Sequence, residues 1–414
     1  MRRIYQLFPA LAHRAFFCFI IGQTISMLGQ WMQRLAMSWL VFRLTGSAFL
    51  LGIVEFVSLA PILVLGLMAG AWLERHDLRK ALAATQVLCM LEAALLTFVT
   101  FADMVSYPLL VALSLGLGII GAFDMTARQS SVSLMVTDAA AVKSAIALNS
   151  MAFNISKLVG PSIAGLVIYL WGEGVCFLVS FLAYIPIVYM LIFQVRLRER
   201  QKGRDGQGML KDIMEGIRHV QEEFFLRRIF QLLAASCFFG LCYSVLFPMF
   251  STAILGGGSQ TLGWLFAAVG AGAFLGGVMV SVYIVLRRIP ALVGRTTSLT
   301  VASLIVFSFS ENLWLSLAAA FVLGFAITTT NISINTLCQT TTTDDCRSRV
   351  ISLYIMCTAG LGPVGGLLFG ALADLIGAPH TMLFCALAIA LFLALFLRDL
   401  RPIHHSLVQT LLHR

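Results

Sequence analysis

Charge is scarce in this chain. Only 11% of its 414 residues are Asp, Glu, Lys or Arg, where a soluble domain carries about 25%. So few charges cannot solvate a globular surface, which excludes an ordinary soluble protein and points to lipid as the solvent. Paired cysteines are missing as well. The nine cysteines (Cys18, Cys89, Cys176, Cys237, Cys242, Cys338, Cys346, Cys357 and Cys385) are odd in number, lie almost all within apolar runs and form no CxxC pair. Neither a disulfide framework nor a zinc site is indicated, and such cysteines behave as small hydrophobes. The seven histidines avoid the middle of every apolar run, and no HExxH, P-loop or Gly-x-Ser-x-Gly pattern occurs. Metal catalysis and ATP hydrolysis are therefore not expected, nor is any cofactor. No cleavable signal peptide is expected either, because the apolar run after Arg14 outlasts a short h-region.

What the chain has in abundance is apolar length, 59% of its residues. A membrane crossing needs about 20 mostly apolar residues. Runs of that kind fall at 15–42, 48–72, 81–102, 107–127, 146–170, 174–195, 229–252, 262–286, 292–310, 313–337, 350–372 and 379–398, twelve in all. With the N-terminus placed in the cytoplasm, 25 of the 28 Lys and Arg residues fall on the cytoplasmic side and only Arg43 on the other, with Arg34 and Lys157 inside spans. That bias predicts cytoplasmic termini in a bacterial inner membrane. It also accounts for the net charge of +9 without nucleic acid.

Residues 196–228 are the longest polar stretch. They open with RLRERQKGRDGQG and continue with apolar residues at helical spacing (Leu210, Ile213, Ile217, Val220, Phe224). A polar linker carrying an amphipathic helix on the membrane surface is expected there. On either side lie weak repeats. Arg79-Lys80 is matched by Arg287-Arg288, and Gly160-Pro161 by Gly362-Pro363. The expected fold is all-α and integral to the membrane, with twelve transmembrane helices in two pseudo-symmetric six-helix bundles. Their limits are 1–195 and 229–414, the latter ending in a short basic tail. Such halves rock about a midplane site.

The segment GLMAGAWLERHDLRK, Gly66 to Lys80, resembles motif A of the major facilitator superfamily. Glu74 replaces the usual Asp, and Asp77 stands where many members have Gly. A glycine such as Gly70 allows close helix approach, and Glu74 can meet a basic residue or a helix N-terminus. The resemblance makes Gly70, Glu74, Arg75 and Arg79 gating residues that latch the outward-facing state; the plain alternative is a positive-inside loop with a turn. Further segments, GQWMQRLAMSWLVFRLTGSA, AFDMTARQS, NISKLVGPSIAG, NISINTLCQ and RSRVISLY, resemble the enterobactin-exporter-like branch of secretion and efflux carriers, in order along nearly the whole chain. Lys157 stands where that branch often has Arg, and Thr126 where it often has Pro. Gly160-Pro161 resembles the span 5 motif linked with antiport, and Gly362-Pro363 repeats it in span 11. Both pairs are read as gating elements, because proline removes a backbone donor and kinks a helix.

Ionisable residues inside a membrane are costly and usually functional. Arg34, Glu55, Glu92, Asp124, Arg128 and Lys157 all lie in the N-terminal half, three of each sign. Polar stripes accompany them: Gln23, Ser26, Gln30 and Gln33/Arg34 in span 1, Ser150, Asn154 and Lys157 in span 5, and Asn331, Asn335 and Gln339 in span 10. Their steps of three and four put each set on one helix face. Two readings stand. Either Gln23, Gln30, Arg34, Asn154, Lys157, Asn331, Asn335 and Gln339 line a substrate path, or the stripes are interhelical hydrogen bonds. Glu55, Glu92 and Asp124 are candidates for proton coupling, with Glu55 ranked first because span 2 neighbours the span 1 stripe. Asp124 and Arg128, four apart, read as an ion pair that either gates or is static.

The resemblance implies a secondary active exporter of a small amphipathic molecule, siderophore- or drug-like, driven by proton antiport. A lysophospholipid or facilitated carrier is the competing transporter reading. A membrane enzyme or sensor would need clustered catalytic groups or an output domain that this sequence lacks. Expected partners are the substrate, protons and membrane lipids, and a monomer is expected.

Overall fold

A computed structural model of the protein describes residues 9–73, 75–136, 139–194, 218, 220–283, 288–342, 344–400 and 402–403. Most of the amphipathic linker helix expected within 196–228 lies outside the described residues, as do Glu74 and Arg287.

Twelve helices among the described residues are long and apolar enough to cross a membrane. Spans 1–6 are Arg14–Thr45, Ala48–Gly66, Leu78–Phe101, Tyr107–Val132, Ser144–Trp171 and Glu173–Phe193. Spans 7–12 are Phe224–Ile254, Ser259–Val280, Ile289–Ser308, Leu313–Thr341, Arg349–Ile376 and Ala378–Arg398. Their ends agree with the apolar runs to within several residues, because transfer of a long run into hydrocarbon dominates every local propensity. Local chemistry sets the ends. Asp77 caps span 3, its carboxylate accepting from the amides of Arg79 at 2.9 Å and Lys80 at 3.2 Å. Asn312 does the same for span 10, accepting from Trp314 and Leu315. Both satisfy amides that a helix start leaves unpaired.

The chain divides into two compact units. Unit 1 comprises Met1–Gly46, Ile53–Arg204 and Gly257–Ala267, and unit 2 comprises Ser47–Gly52, Asp205–Gly256 and Ala268–Arg414. Within unit 1, span 1 packs on spans 5 and 6, and span 3 on spans 4 and 6. Within unit 2, span 7 packs on spans 11 and 12, and span 9 on spans 10 and 12. The second pattern is the first moved on by six spans, so the weak repeat of the sequence is a repeat of packing. The connectors repeat too. Gly46 after span 1 and Gly256 after span 7 have φ of 63° and 58°, and Gly172 and Gly377, before spans 6 and 12, have φ of 84° and 86°. A left-handed backbone turns the chain in one residue and suits glycine.

The repeat fails at the two Gly-Pro pairs. In span 5 the α-helix runs unbroken through Pro161, as part of Ala139–Trp171. In span 11 the π-helical turn Met356–Gly360 stands immediately before Gly362-Pro363. A second π-helical turn, Phe250–Ile254, follows Pro248 in span 7. π turns accommodate a helix whose hydrogen-bond ladder proline has interrupted.

Candidate functional site

The six ionisable residues that the sequence places within apolar runs of the N-terminal half resolve into three separate arrangements. The most enclosed joins spans 1, 3 and 4. Span 3 presents Thr85, Gln86, Cys89 and Glu92 at spacings that share one face. Asp124 Oδ1 accepts from Thr85 Oγ1 at 2.9 Å and from Gln86 Nε2 at 2.6 Å, while Oδ2 pairs with Arg128 one turn along the same helix. Gln86 accepts from Ser26 at 3.0 Å. Gln23, with its amide oxygen turned to the guanidinium, accepts from Arg128 Nη1 at 2.6 Å and Nε at 3.2 Å. Gln23, Ser26 and Gln86 have no exposed surface, and Asp124 and Arg128 are buried. Gln23 is fully enclosed here and makes an interhelical contact with Arg128.

Glu92 stands farther along the same face of span 3. Its Oε2 accepts from Gln33 Nε2 at 2.5 Å. Its Oε1 and Gln33 Oε1 are both buried without a hydrogen-bond partner. Among the described residues, no Lys or Arg lies within ion-pair distance of this carboxyl.

The third arrangement is open. Arg34 Nη2 meets Glu55 Oε2 at 2.6 Å, and Glu55 Oε1 accepts from Ser38 at 3.3 Å. Glu55 is thus not the lone acid that span 2 suggests when read by itself. Trp31, one turn before Arg34, lies with its ring 5.6 Å from the Arg34 guanidinium carbon and 5.9 Å from Lys157 Nζ. Phe153 meets the same ring edge-on at 5.8 Å. Gly160 brings spans 1 and 5 together: a Cβ there would stand 2.6 Å from Trp31 Cβ. Trp31, Lys157 and Asn154 are half-buried, and Arg34 has 44% of its side chain exposed. Asn154 Nδ2 donates to its own helix at Ser150 O, 2.9 Å away. Gln30 is half-buried on the same helix as Trp31. Trp31 and Phe153 were not picked out from the sequence. The step of three from Trp31 to Arg34 was the available signal.

In unit 2 the ions stand toward the span ends, where Arg228 pairs with Asp399 at 2.5 Å and Asp374 accepts from the amide of Ala48 at 2.8 Å, and the polar stripe of span 10 is neutral. Asn331 and Asn335 are half-buried and Gln339 is exposed on span 10. Gln339 Nε2 donates to Asn335 Oδ1 at 3.0 Å, and Tyr354 Oη donates to the Asn331 carbonyl at 3.0 Å. A small cavity lies among Ser236, Cys237, Thr300, Thr330 and Asn331. Beside it Thr296 and Thr330 share a hydrogen bond of 2.6 Å, both buried. No His, Cys, Asp or Glu grouping among the described residues has the arrangement of a metal site.

The expected gating residues have structural partners of varied kinds. Arg79 Nε donates to Leu191 O at 2.7 Å and Nη2 to Ile192 O, so this side chain satisfies the last carbonyls of span 6. Arg75 is exposed. Gly70, expected to allow a close helix contact, does not: a Cβ there would meet nothing within 4 Å. Gly160, Pro161, Gly362 and Pro363 are all buried.

The chain is similar to known proteins along nearly its whole length. A family model described as transmembrane secretion effector matches residues 6–410. The multidrug efflux pump Tap of Mycolicibacterium fortuitum is 30% identical over 398 residues, covering 89% of this chain and 92% of its own. The staphyloferrin A transporter of Staphylococcus aureus is 23% identical over 373 residues, covering 88% and 90%. Macrolide efflux protein A of Streptococcus pyogenes is 22% identical, covering 89% and 91%. Among solved structures, a POT family transporter superimposes with a TM-score of 0.72 at 11% identity, covering 94% of this chain and 96% of that one. A bacterial homologue of the human lysosomal transporter Spinster gives 0.65 at 13% identity, covering 96% and 98%. Twelve apolar helices in a repeated packing and a match of this length lead to one conclusion: the chain belongs to the transmembrane secretion effector family of the major facilitator superfamily, and is a multi-pass membrane transporter rather than an enzyme.

Proposed function

We propose that this transporter exports a small amphipathic molecule, siderophore- or drug-like, in exchange for protons. Access alternates between two six-helix halves, 1–195 and 229–414, in a bacterial inner membrane with both termini in the cytoplasm. The bias of Lys and Arg toward the connectors and span ends of one side supports that orientation. The named relatives, a siderophore transporter and drug efflux pumps, support export of a small molecule.

Proton exchange rests on Glu92. Of the three acids in the middle of the spans of unit 1, Asp124 is held by Arg128 and Glu55 by Arg34. Glu92 has only a neutral amide as partner. An enclosed carboxylate without a counter-charge costs several kcal/mol, so this acid exchanges its proton when its surroundings change. The order of candidates therefore shifts from Glu55 to Glu92.

Inverted membrane vesicles with an inside-acidic gradient test the reading. A panel of dyes, drugs and siderophores of differing charge is offered to the wild type, Glu92→Gln and Glu55→Gln, each verified as inserted and monodisperse in detergent. Gradient-driven accumulation in the wild type that Glu92→Gln abolishes is the expected result. Accumulation that survives collapse of the gradient would sink proton exchange and leave a facilitated carrier.

A further inference from the structure

We infer that Trp31, Arg34 and Lys157 form a subsite for an anionic aromatic group of the transported molecule, such as a ring-borne carboxylate or catecholate. Lys157 supplies the free cation and Trp31 the stacking surface. The inference rests on the export reading above and names the substrate class for part of that site.

The argument begins with which charges are already used. Each acid within unit 1's spans has its own partner. Asp124 is enclosed by Arg128, Thr85 and Gln86. Glu92 is bonded to Gln33. Gln33 and Arg34 are neighbours in sequence but stand about 100° apart around the helix, so Glu92 is served on a different side of span 1. Glu55 is committed to Arg34 at 2.6 Å. Lys157 remains. Among the described residues its ammonium has no carboxylate within ion-pair distance. The Trp31 ring lies 5.9 Å from its Nζ. An ammonium has three donors to satisfy, and a ring face offers it attraction but no acceptor.

Geometry then selects the ligand. Two cations lie near one indole, Arg34 at 5.6 Å and Lys157 at 5.9 Å, and only Arg34 has its acid. Repulsion between them in a medium poorer than water is relieved by one added negative charge. Phe153, 46% exposed, stands edge-on to the indole and widens the aromatic surface. The cluster is accessible where the other two arrangements are not: Trp31 and Lys157 are half-buried, whereas Asp124, Arg128 and Glu92 are buried. Gly160 holds this geometry, because span 5 approaches the Trp31 stem too closely for any side chain there. A flat anion stacked on the indole with its oxygens toward Lys157 uses every feature of the cluster. A cationic ligand would meet an unpaired ammonium.

The test is equilibrium binding to the purified full-length protein in lipid nanodiscs, with no gradient applied. The probes are 2-naphthoate, 2-naphthamide and 2-naphthylmethylammonium, alike in shape and different in charge. We expect the wild type to bind naphthoate about tenfold more tightly than the amide, which corresponds to about 1.4 kcal/mol, and the ammonium least. Lys157→Gln should erase the preference and Lys157→Arg should keep it. Trp31→Ala should weaken acid and amide together. Comparable thermal unfolding of the variants separates these effects from loss of fold. Equal binding of acid and amide, a preference that survives Lys157→Gln, or no binding of any probe at millimolar concentration each overturns the inference. A charge preference found here together with gradient-independent uptake in vesicles would remove proton exchange and leave the subsite standing. Gradient-driven export without a charge preference would do the reverse.

Discussion

The two units share a packing plan and differ in chemistry. Unit 1 buries ions and keeps its helices regular through Pro161. Unit 2 buries hydroxyls, such as Thr296, Thr300 and Thr330, and interrupts spans 7 and 11 with π-helical turns beside Pro248 and Pro363. Ions paired in a low-dielectric interior lose much if they move apart, whereas hydroxyl contacts between membrane helices are weak. Unit 2 has an ion pair too, Arg228–Asp399, but at the ends of spans 7 and 12. A unit with ion pairs in mid-span is suited to keeping a binding geometry, and one with hydroxyls and interrupted helices there to bending.

That contrast can be attacked at its strongest point first. Arg128→Ala leaves Asp124 buried without its counter-ion, and a loss of about 3–5 kcal/mol is expected. It would be read as a collapse of monodisperse protein in detergent, largely restored by adding Asp124→Asn. If the single change is tolerated, unit 1 is not held by this pair. Next is Gly160→Ala, whose new methyl would sit 2.6 Å from Trp31 Cβ and 3.2 Å from the Leu28 carbonyl. Separating spans 1 and 5 should cost about 1–3 kcal/mol, seen in thermal unfolding together with weaker naphthoate binding. The proline pair sharpens the comparison further. Pro363→Ala restores a backbone donor next to a π turn, and transport should slow several-fold while the protein becomes more stable. Pro161→Ala, in a helix already regular, should leave the rate within about twofold. Equal effects at both prolines would mean that the π turn has no part in bending. The smallest effect belongs to Thr330→Val, which removes the bond to Thr296. A loss of about 0.6 kcal/mol in unfolding is expected, with transport kept.

Much of this was legible before any coordinates. The twelve spans, the two halves and the family resemblance came from apolar length, glycines and short motifs. The Asp124–Arg128 pair followed from a step of four on one helix. The partners of the other acids did not. Glu55 and Glu92 looked alike as single acids in apolar runs, yet one meets Arg34 and the other a glutamine. The span 1 stripe read as one polar face, but Gln23 and Ser26 turn inward to spans 3 and 4 while Arg34 stays open. Thr85, Gln86, Cys89 and Glu92 carried the same three-to-four spacing in span 3, a signal of the seam that passes unnoticed when only charged residues are followed. Trp31 is one of six tryptophans, and nothing in its neighbours along the chain marks it as the ring between two cations.

The sequence by itself determined that the protein lives in a bilayer as twelve helices. Transfer to hydrocarbon adds up residue by residue along a run, so a one-dimensional count captures it. Tertiary structure decided which acid is neutralised and which cation is left over. That depends on the rotation of each helix about its axis and on the close approach of spans at Gly160. Gln33 and Arg34, adjacent in the chain, serve different spans for this reason: a single residue step turns the helix by about 100°, and in a low-dielectric interior that turn separates a paired charge from an unpaired one.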